Sequence, residues 1–231
     1  MKLIRSLFCV LLILSLVLCL FLGENISRFA SRKYAVRGAD VSQYQGSIDW
    51  NAFSDELDFV FLKATEGSSH VDALLQTNRS QASETNLAVG FYHFFSFESP
   101  GQAQAEHFIQ TVGSLSGCLP PVVDAEFYGG RHPDQESLLR ELTAFMAAVE
   151  NEYGVKPIVY TTGSFYRTYL KDRLNGYPLW IRNVYTVPER GWTFWQYSDL
   201  GRYPFYDGEE KHLDLNVFSG SSEELNALLL P

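Results

Sequence analysis

The chain has 231 residues, of which 46% are hydrophobic and 15% aromatic, and its formal net charge at pH 7 is −9. Six basic residues and one acidic residue precede Gly38, so the remainder is more acidic than the whole. A nucleic-acid-binding role is therefore disfavoured, because such proteins need a concentrated basic surface. The residues from Gly38 onward suffice for one domain with a sizeable hydrophobic core.

The first feature along the chain is an almost unbroken apolar run at Leu7–Leu22, with basic residues before it. This pattern is typical of an export signal or a membrane anchor. No Ala-x-Ala cleavage site follows directly, and a helix of this length reaches only roughly 24 Å of a ~30 Å hydrocarbon core. A signal removed near Ala30 and a retained anchor are therefore both open. We assign residues 1–37 to this leader with a short juxtamembrane segment, and residues 38–231 to the folded domain.

The number and positions of the cysteines exclude a domain stabilised by internal disulfides. Cys9 and Cys19 lie in the apolar run and only Cys118 follows it, so no disulfide can form within the domain. The Cys and His spacings of metal sites are also absent, and we expect no metal and no other cofactor. An exported protein without disulfides indicates a bacterial surface rather than a disulfide-rich animal secretion.

Beyond the leader, short apolar runs alternate with amphipathic stretches. The predicted strands are Val36–Val41, Asp58–Ala64, Leu87–Phe95, Pro121–Glu126, Lys156–Tyr160, Pro178–Ile181, Trp192–Tyr197 and Leu213–Phe218. The predicted helices are Asp49–Asp55, Val71–Asn86, Pro100–Val112, Gln135–Tyr153 and Ser164–Leu170. Five β/α units followed by three strands predict an α/β fold, an irregular TIM-like barrel. An open doubly wound sheet is the alternative, although no Gly-rich phosphate loop follows the first strand.

Acidic side chains recur where these predicted strands end. Asp124 and Glu126 close the fourth strand with one alanine between them, and residues i and i+2 of a strand point to the same side. Asp40 ends the first strand, Glu66 follows the second, and Asp214 lies in the last. Acids after a strand often only cap a helix. Several acidic side chains together in one cleft raise each other's pKa and lower the stability of the fold. Their presence therefore favours a functional acidic site.

Aromatic residues occur at the same strand ends, among them Tyr92, Tyr160 and Trp180. Each alone is equally consistent with core packing. Together they suit a carbohydrate, whose ring faces stack on aromatic planes while its hydroxyls bond to polar groups such as Lys63 and Gln196. Carboxylic acids and aromatic residues in one cleft predict glycoside hydrolysis, in which one acid protonates the leaving oxygen and a second carboxylate stabilises or attacks the anomeric centre.

Eight segments carry a family resemblance in a consistent order. They are GADVSQYQGSIDW, FVFLKATEG, GFYHFF, PPVVDAE, YGVKPIVYTT, PLWI, WQYSD and LDLNVF. Over Gly38 to Gly220 the chain thereby resembles the family 25 glycoside hydrolases, the Chalaropsis-type lysozymes or N-acetylmuramidases. The resemblance implies an irregular barrel of five β/α units and three further strands. It also implies cleavage of the β-1,4 bond between N-acetylmuramic acid and N-acetylglucosamine in peptidoglycan.

By this resemblance, Glu126 is expected to be the general acid. Asp124 is expected to be its partner, acting either as nucleophile or as the group that orients the substrate's N-acetyl group, with Asp40 and Asp214 as further acids of the cleft. The positions expected to face the sugar are Tyr92, Lys63, Tyr160, Trp180 and Gln196. The resemblance further implies a cofactor-free monomer that acts on peptidoglycan glycan strands, either secreted or at the bacterial cell surface. Residues 7–22 would anchor it if they are retained.

The chain departs from the family pattern at residues 182–191 and 199–212. We expect both segments to form loops at the cleft rim and to affect subsite specificity rather than the reaction. Two other functions remain open. One is a glycan-binding domain that does not turn over, since fold does not determine function. The other is a metal-dependent hydrolase, although the ligand spacing is not distinctive; its ligands would be Asp40, Asp124, Glu126, His93 and Asp214.

Overall fold

The computed structural model describes residues 25–174, 176–189 and 191–231. The strands of this part are β1 Arg37–Val41, β2 Phe59–Glu66, β3 His70–Val71, β4 Ala88–Phe94, β5 Val122–Asp124, β6 Ile158–Thr162, β7 Leu179–Arg182, β8 Phe194–Gly201 and β9 Leu213–Phe218. The helices are α1 Trp50–Glu56, α2 Leu75–Ala82, α3 Gly101–Val112, α4 Gln135–Tyr153 and α5 Ser222–Asn226. Short helical turns lie at Gln43–Gln45, Gly163–Phe165 and Tyr166–Leu170. Residues 25–31 are also helical.

The sheet closes on itself. Its strand order is β1-β9-β8-β7-β6-β5-β4-β2-β3, and β1 also pairs with β2, which leaves β3 outside the barrel. Pairing is parallel from β1 through β2 and β4 to β8, whereas β9 is antiparallel to both of its neighbours. The prediction of an irregular α/β barrel is confirmed, and the open doubly wound sheet was wrong.

Several predicted boundaries differ from the observed ones, and two of these differences depend on strand pairing. Helix α2 is shorter than the predicted Val71–Asn86, because residues 70 and 71 turn back as β3 and pair with the end of β2. Strand β5 ends at Asp124 rather than at Glu126. The backbone nitrogen of Ala125 still donates to the oxygen of Tyr160, so the chain stays beside β6 for one more residue. Local apolar pattern cannot report either change, because both depend on pairing with other strands.

Side chains alternate along the strands between two hydrophobic layers. Phe59 and Phe61 of β2 point into the barrel, where both rings contact Phe194 of β8 at 5.2 and 5.3 Å between centroids. The intervening Val60 and the following Leu62 belong to the outer layer, which packs against the helices. Large aromatic rings therefore fill the inside of the barrel.

The longest helix, α4, covers part of the outer layer. It begins where the side chain of Asp134 accepts a hydrogen bond from the Ser137 nitrogen, and it ends at Gly154 in the left-handed conformation with φ 69°. Its buried face includes Leu142 and Phe145. Apolar residues recur every three to four positions in this segment, and that pattern is sufficient to predict the helix. The observed bounds match the predicted ones.

Among the described residues, no helix is long and apolar enough to cross a membrane. The apolar run Leu7–Leu22 lies outside the described residues. The leader assignment and the domain boundary before Gly38 therefore stay predictions.

We predict that Gly90→Ala destabilises the fold, because Gly90 leaves room for the Phe61 ring inside the barrel. A Cβ at Gly90 would lie 2.4 Å from that ring and 3.1 Å from Leu119. Overpacking of this kind costs about 1–3 kcal/mol, which urea denaturation can measure. Gly163→Ala is the matched control, since its Cβ would meet only the flexible end of Arg167 at 3.3 Å. Equal unfolding free energies for the two variants would contradict this packing.

Candidate active site

A cavity of about 220 Å³ opens at the end of the barrel where the parallel strands terminate. Strand alternation explains its composition, because the inward-facing residues near these strand ends are polar or aromatic instead of aliphatic. Asp214 lies near the start of β9, but the antiparallel register places it opposite Asp40 at the same end. The lining residues are Asp40, Ser42, Tyr44, Lys63, Tyr92, Phe94, Asp124, Glu126, Tyr160, Trp180 and Asp214.

Asp124 and Glu126 both line the cavity, although only Asp124 belongs to the strand. The carboxyl group of Asp124 is buried, with 8% of the residue exposed. Its Oδ1 has no hydrogen-bond partner among the described residues. A buried acceptor without a partner costs free energy, so this atom is available to a proton or to a ligand that enters the cavity.

Burial and mutual repulsion raise the pKa values of Asp124 and Asp40. Burial is the largest cause that raises the pKa of Asp124 well above its usual value, followed by the charges of Glu126 and Asp40. The pKa of Asp40 is likewise raised well above its usual value, first by burial and then by Asp214. Each negative charge in such a cluster disfavours ionisation of the next carboxyl group.

The positive charge of Arg182 limits the rise in pKa of the other two acids, Glu126 and Asp214. Burial raises the pKa of Glu126, and the Arg182 charge opposes that rise. Burial and the charge of Asp199 raise the pKa of Asp214 to about 7, again against Arg182. Arg182 itself forms an ion pair with Asp199. Sequence reasoning missed Arg182, which lies two residues after Trp180 and therefore on the same side of β7.

Sequence reasoning also missed Asn216, whose side chain forms hydrogen bonds to two residues that line the cavity. Trp180 Nε1 donates to Asn216 Oδ1 at 2.9 Å, and Asn216 Nδ2 donates to Asp40 Oδ1 at 2.7 Å. The Asn216 side chain is fully buried. It lies two residues after Asp214, so the alternation that selected Asp124 and Glu126 would have found it too.

Gln196 lies behind the cavity and is not one of its lining residues. It is buried, its Oε1 accepts a hydrogen bond from the hydroxyl of Tyr160 at 2.7 Å, and its side chain also bonds to Asp214. The side chain therefore positions Tyr160 and Asp214 from behind.

Lys63 lines the cavity as expected, and Glu66 holds it there. The ammonium of Lys63 lies 2.7 Å from Glu66 Oε2 and 5.2 Å from the centre of the Phe94 ring. Its positive charge lowers the pKa of Asp124, against the effect of burial. Glu66, which the sequence placed among the clustered acids, thus serves as the partner of a lysine rather than as a lining residue.

His93 is a core residue. Its Nδ1 is 2.7 Å from Thr65 Oγ1 and its Nε2 is 3.0 Å from Gln104 Oε1, and its ring stacks on Phe145. Burial lowers the pKa of His93 to about 3, so the ring is neutral. Both nitrogens are engaged, which removes His93 from the ligand set of the metal-dependent alternative. The described residues contain no group of three or more His, Cys, Asp or Glu arranged to hold a metal ion.

Comparison with known proteins identifies the family. The family model of the glycosyl hydrolases family 25 matches residues 39–205. The chain belongs to this family. A solved family 25 glycosyl hydrolase from Bacillus anthracis is 43% identical, with a TM-score of 0.81, and the match covers 86% of this chain and 95% of that chain. The family predicted from the ordered motifs is thereby confirmed.

Two curated relatives extend the comparison. Uncharacterized protein YegX of Escherichia coli K12 is 36% identical over 217 residues, covering 88% of this chain and 78% of the relative. Lysozyme M1 of Streptomyces globisporus is 33% identical over 216 residues, covering 84% of this chain and 71% of the relative. The family 25 match ends before β9, so the barrel geometry, rather than that match, brings Asp214 and Asn216 to the cavity.

We predict that Asp214→Asn stabilises the protein at alkaline pH. The folded pKa of Asp214 is about 7 against an ordinary 3.8, so the folded state binds the extra proton between these values. The stability from that proton is complete at low pH and is lost as the pH rises through 7. Asparagine carries no such charge, so the variant should exceed the wild type by about 1–4 kcal/mol at pH 8.

The measurement is urea denaturation of both proteins from pH 4 to pH 8. The difference should become small towards pH 4, because that pH lies well below the folded pKa and only just above the ordinary 3.8 of the unfolded state. Asp55→Asn, at an exposed position of α1, is the control for replacing an aspartate by asparagine as such. A difference that is constant across this range would contradict the raised pKa.

Proposed function

We propose that this family 25 glycosyl hydrolase is a lysozyme, an N-acetylmuramidase that cleaves the β-1,4 bond between N-acetylmuramic acid and N-acetylglucosamine in peptidoglycan. The observation that carries the proposal is the cavity in which Asp124 and Glu126 lie together with Asp40 and Asp214. The name of the relative Lysozyme M1 supports the same activity. Glycoside hydrolysis requires a pair of acids, and here that pair lies in a cavity with aromatic walls.

Glu126 acts as the general acid in this proposal. Burial raises its pKa, so the carboxyl group retains a proton that an exposed glutamate would have lost. It passes this proton to the glycosidic oxygen as the bond to the anomeric carbon breaks. The leaving sugar then departs as a neutral alcohol, which lowers the barrier to bond cleavage.

Asp124 acts on the opposite side of the same step. Positive charge develops at the anomeric carbon, and the carboxylate of Asp124 stabilises it either by direct attack or by orienting the substrate's acetamido group. With Glu126 protonated, the charge that most raises the pKa of Asp124 after burial is absent, and the ammonium of Lys63 lowers that pKa further. Both routes retain the anomeric configuration when the two carboxyl groups stand close.

Aromatic and polar side chains position the sugar. Tyr160 and Trp180 meet edge to face with centroids 4.8 Å apart, so they form a corner of the cavity wall. Burial, followed by the charge of Glu126, raises the pKa of Tyr160 well above its usual value, and burial and Asp40 do the same for Tyr92. Both phenols therefore remain neutral hydrogen-bond donors for sugar hydroxyls.

The cellular setting follows from the substrate and the leader. We place this enzyme outside the cytoplasmic membrane of a bacterium, acting on cell-wall glycan strands as a monomer. Residues 7–22 serve as the export signal and, if they are retained, as a membrane anchor. The sequence of the domain is acidic, so attraction to anionic wall polymers is not its means of localisation.

We predict that Glu126→Gln lowers turnover on purified peptidoglycan by about 10²–10⁴-fold, because glutamine cannot donate the proton. Release of reducing ends measures turnover, and circular dichroism checks the fold. Mass spectrometry of the wild-type products should find N-acetylmuramic acid at the new reducing end. Glu136→Gln, at an exposed position of α4, is the control and should keep wild-type activity.

Three outcomes would contradict this assignment in different ways. Wild-type turnover in Glu126→Gln would remove Glu126 from its role as the acid. N-acetylglucosamine at the new reducing end would show that the other glycosidic bond is cut. Binding of glycan without any product, by the unaltered protein, would favour a binding domain on the same scaffold.

A further inference from the structure

The helical residues 25–31 are docked on the barrel. Ser27 is fully buried, and its hydroxyl donates to the backbone oxygen of Tyr197 at 2.9 Å. Arg28 donates from Nη2 to the backbone oxygen of Leu200 at 2.9 Å and from Nε to Ser198 Oγ at 3.2 Å. These contacts are specific hydrogen bonds to the carboxyl-terminal half of β8, so this segment is part of the fold.

The segment runs antiparallel to β8. Its later residues reach the other end of that strand, where the Tyr34 ring contacts Trp192 with centroids 5.1 Å apart. Arg37, the first residue of β1, donates from Nη2 to the backbone oxygen of Ser31 at 3.2 Å. The start of the docked segment therefore lies at the end of the barrel that carries the cavity. Asp199, which lies between the residues that Arg28 contacts, pairs with Arg182, whose charge lowers the pKa values of the cavity residues Glu126 and Asp214.

Only Gly23 and Glu24 separate this segment from the apolar run Leu7–Leu22. From Leu22 to Asn25 the chain can span at most ~11 Å, whatever conformation it adopts. If the run lies in a bilayer, Asn25 lies within that short distance of where the run ends, and the cavity end of the barrel, on which the segment is docked, is held nearby. A tether of this length leaves the domain little freedom to turn.

The outer surface of the segment suits a bilayer interface. Ile26 is 57% exposed and Phe29 is 72% exposed. The guanidinium of Arg32 lies 5.8 Å from the centre of the Phe29 ring, and Lys33 follows it. Apolar and aromatic side chains with basic neighbours are typical of protein surfaces that contact phospholipid headgroups.

We propose that the folded domain begins at residue 25, that Leu7–Leu22 stays attached as a membrane anchor, and that the docked segment holds the cavity end of the barrel facing a phospholipid bilayer. Cleavage near Ala30 would remove Ser27 and Arg28 and uncover the surface of β8 that they occupy. The orientation follows from the hydrogen bonds to β8 and from the short tether. It does not depend on the reaction that the cavity catalyses.

The first test is the N-terminus of the mature protein. The full chain is expressed in a bacterial host, the cells are fractionated, and the intact mass of the protein is measured in each fraction. We expect the protein in the membrane fraction with residues 7–22 present. A soluble protein that begins at or near Ser31 would overturn the proposal.

The second test measures orientation with the full chain in vesicles of phosphatidylcholine and phosphatidylglycerol that contain a brominated lipid. Single cysteines, placed in a background with serine at the three native positions, carry an environment-sensitive fluorophore. Tyr185→Cys reports the cavity end, since Tyr185 follows β7 and is 47% exposed, and Glu84→Cys reports the opposite end, just before β4. We expect the brominated lipid to quench the first label at least twofold more than the second.

A docking variant links this result to the contacts on β8. Ser27→Ala combined with Arg28→Ala removes their side-chain bonds, so the difference in quenching between the two labels should fall by at least half. Lys211→Ala, which loses only a surface bond to the oxygen of Gly208, should leave the difference unchanged. Equal quenching at both ends, or a difference that survives the double variant, would overturn the proposed orientation.

Discussion

Strand β9 is the element on which the rest of this structure depends. It closes the barrel by pairing antiparallel with both β8 and β1, and its register sets Asp214 opposite Asp40. Its inward-facing Asn216 then joins Asp40 to Trp180 through two hydrogen bonds. Without this strand, the acids on the parallel strands would line the open edge of a sheet instead of an enclosed cavity.

Enclosure has an electrostatic consequence. Acids withdrawn from water keep their protons to higher pH, and each one that ionises makes the next harder to ionise. The cluster therefore destabilises the folded state at neutral and alkaline pH, and the aromatic interior around Phe59, Phe61 and Phe194 offsets that cost. The same arrangement keeps Glu126 protonated to a higher pH than an exposed glutamic acid, which is what the proposed reaction needs.

The barrel was predictable because the succession of short apolar runs and amphipathic stretches, and their number, can be read along the sequence. A second local rule, that residues i and i+2 of a strand point to the same side, predicted that Asp124 and Glu126 would share a side, and both line the cavity even though β5 ends between them. Asn216 and Arg182 were within reach of that rule, since each lies two residues from an inward-facing residue. They were missed because amide and guanidinium groups were not sought as partners of acids.

Other features depend on contacts between distant parts of the chain. The sequence does not reveal that Gln196 lies behind Tyr160, because depth in the barrel depends on the stagger of neighbouring strands. Nor does it reveal that His93 is satisfied by Thr65 and Gln104, since these partners come from β2 and α3. The docking of Ser27 on β8 joins positions 170 residues apart, which no local pattern can report.

The central claim is that Glu126 keeps its proton because it is buried among other acids, with Arg182 as the opposing charge. The most direct measurement is a nuclear magnetic resonance titration of the 13C-labelled side-chain carboxyl of Glu126, in the wild type and in Arg182→Met. The account predicts a pKa above the ordinary 4.5 in the wild type and a further rise in the variant. A wild-type pKa at or below the ordinary value, or no change when Arg182 is replaced, would contradict it.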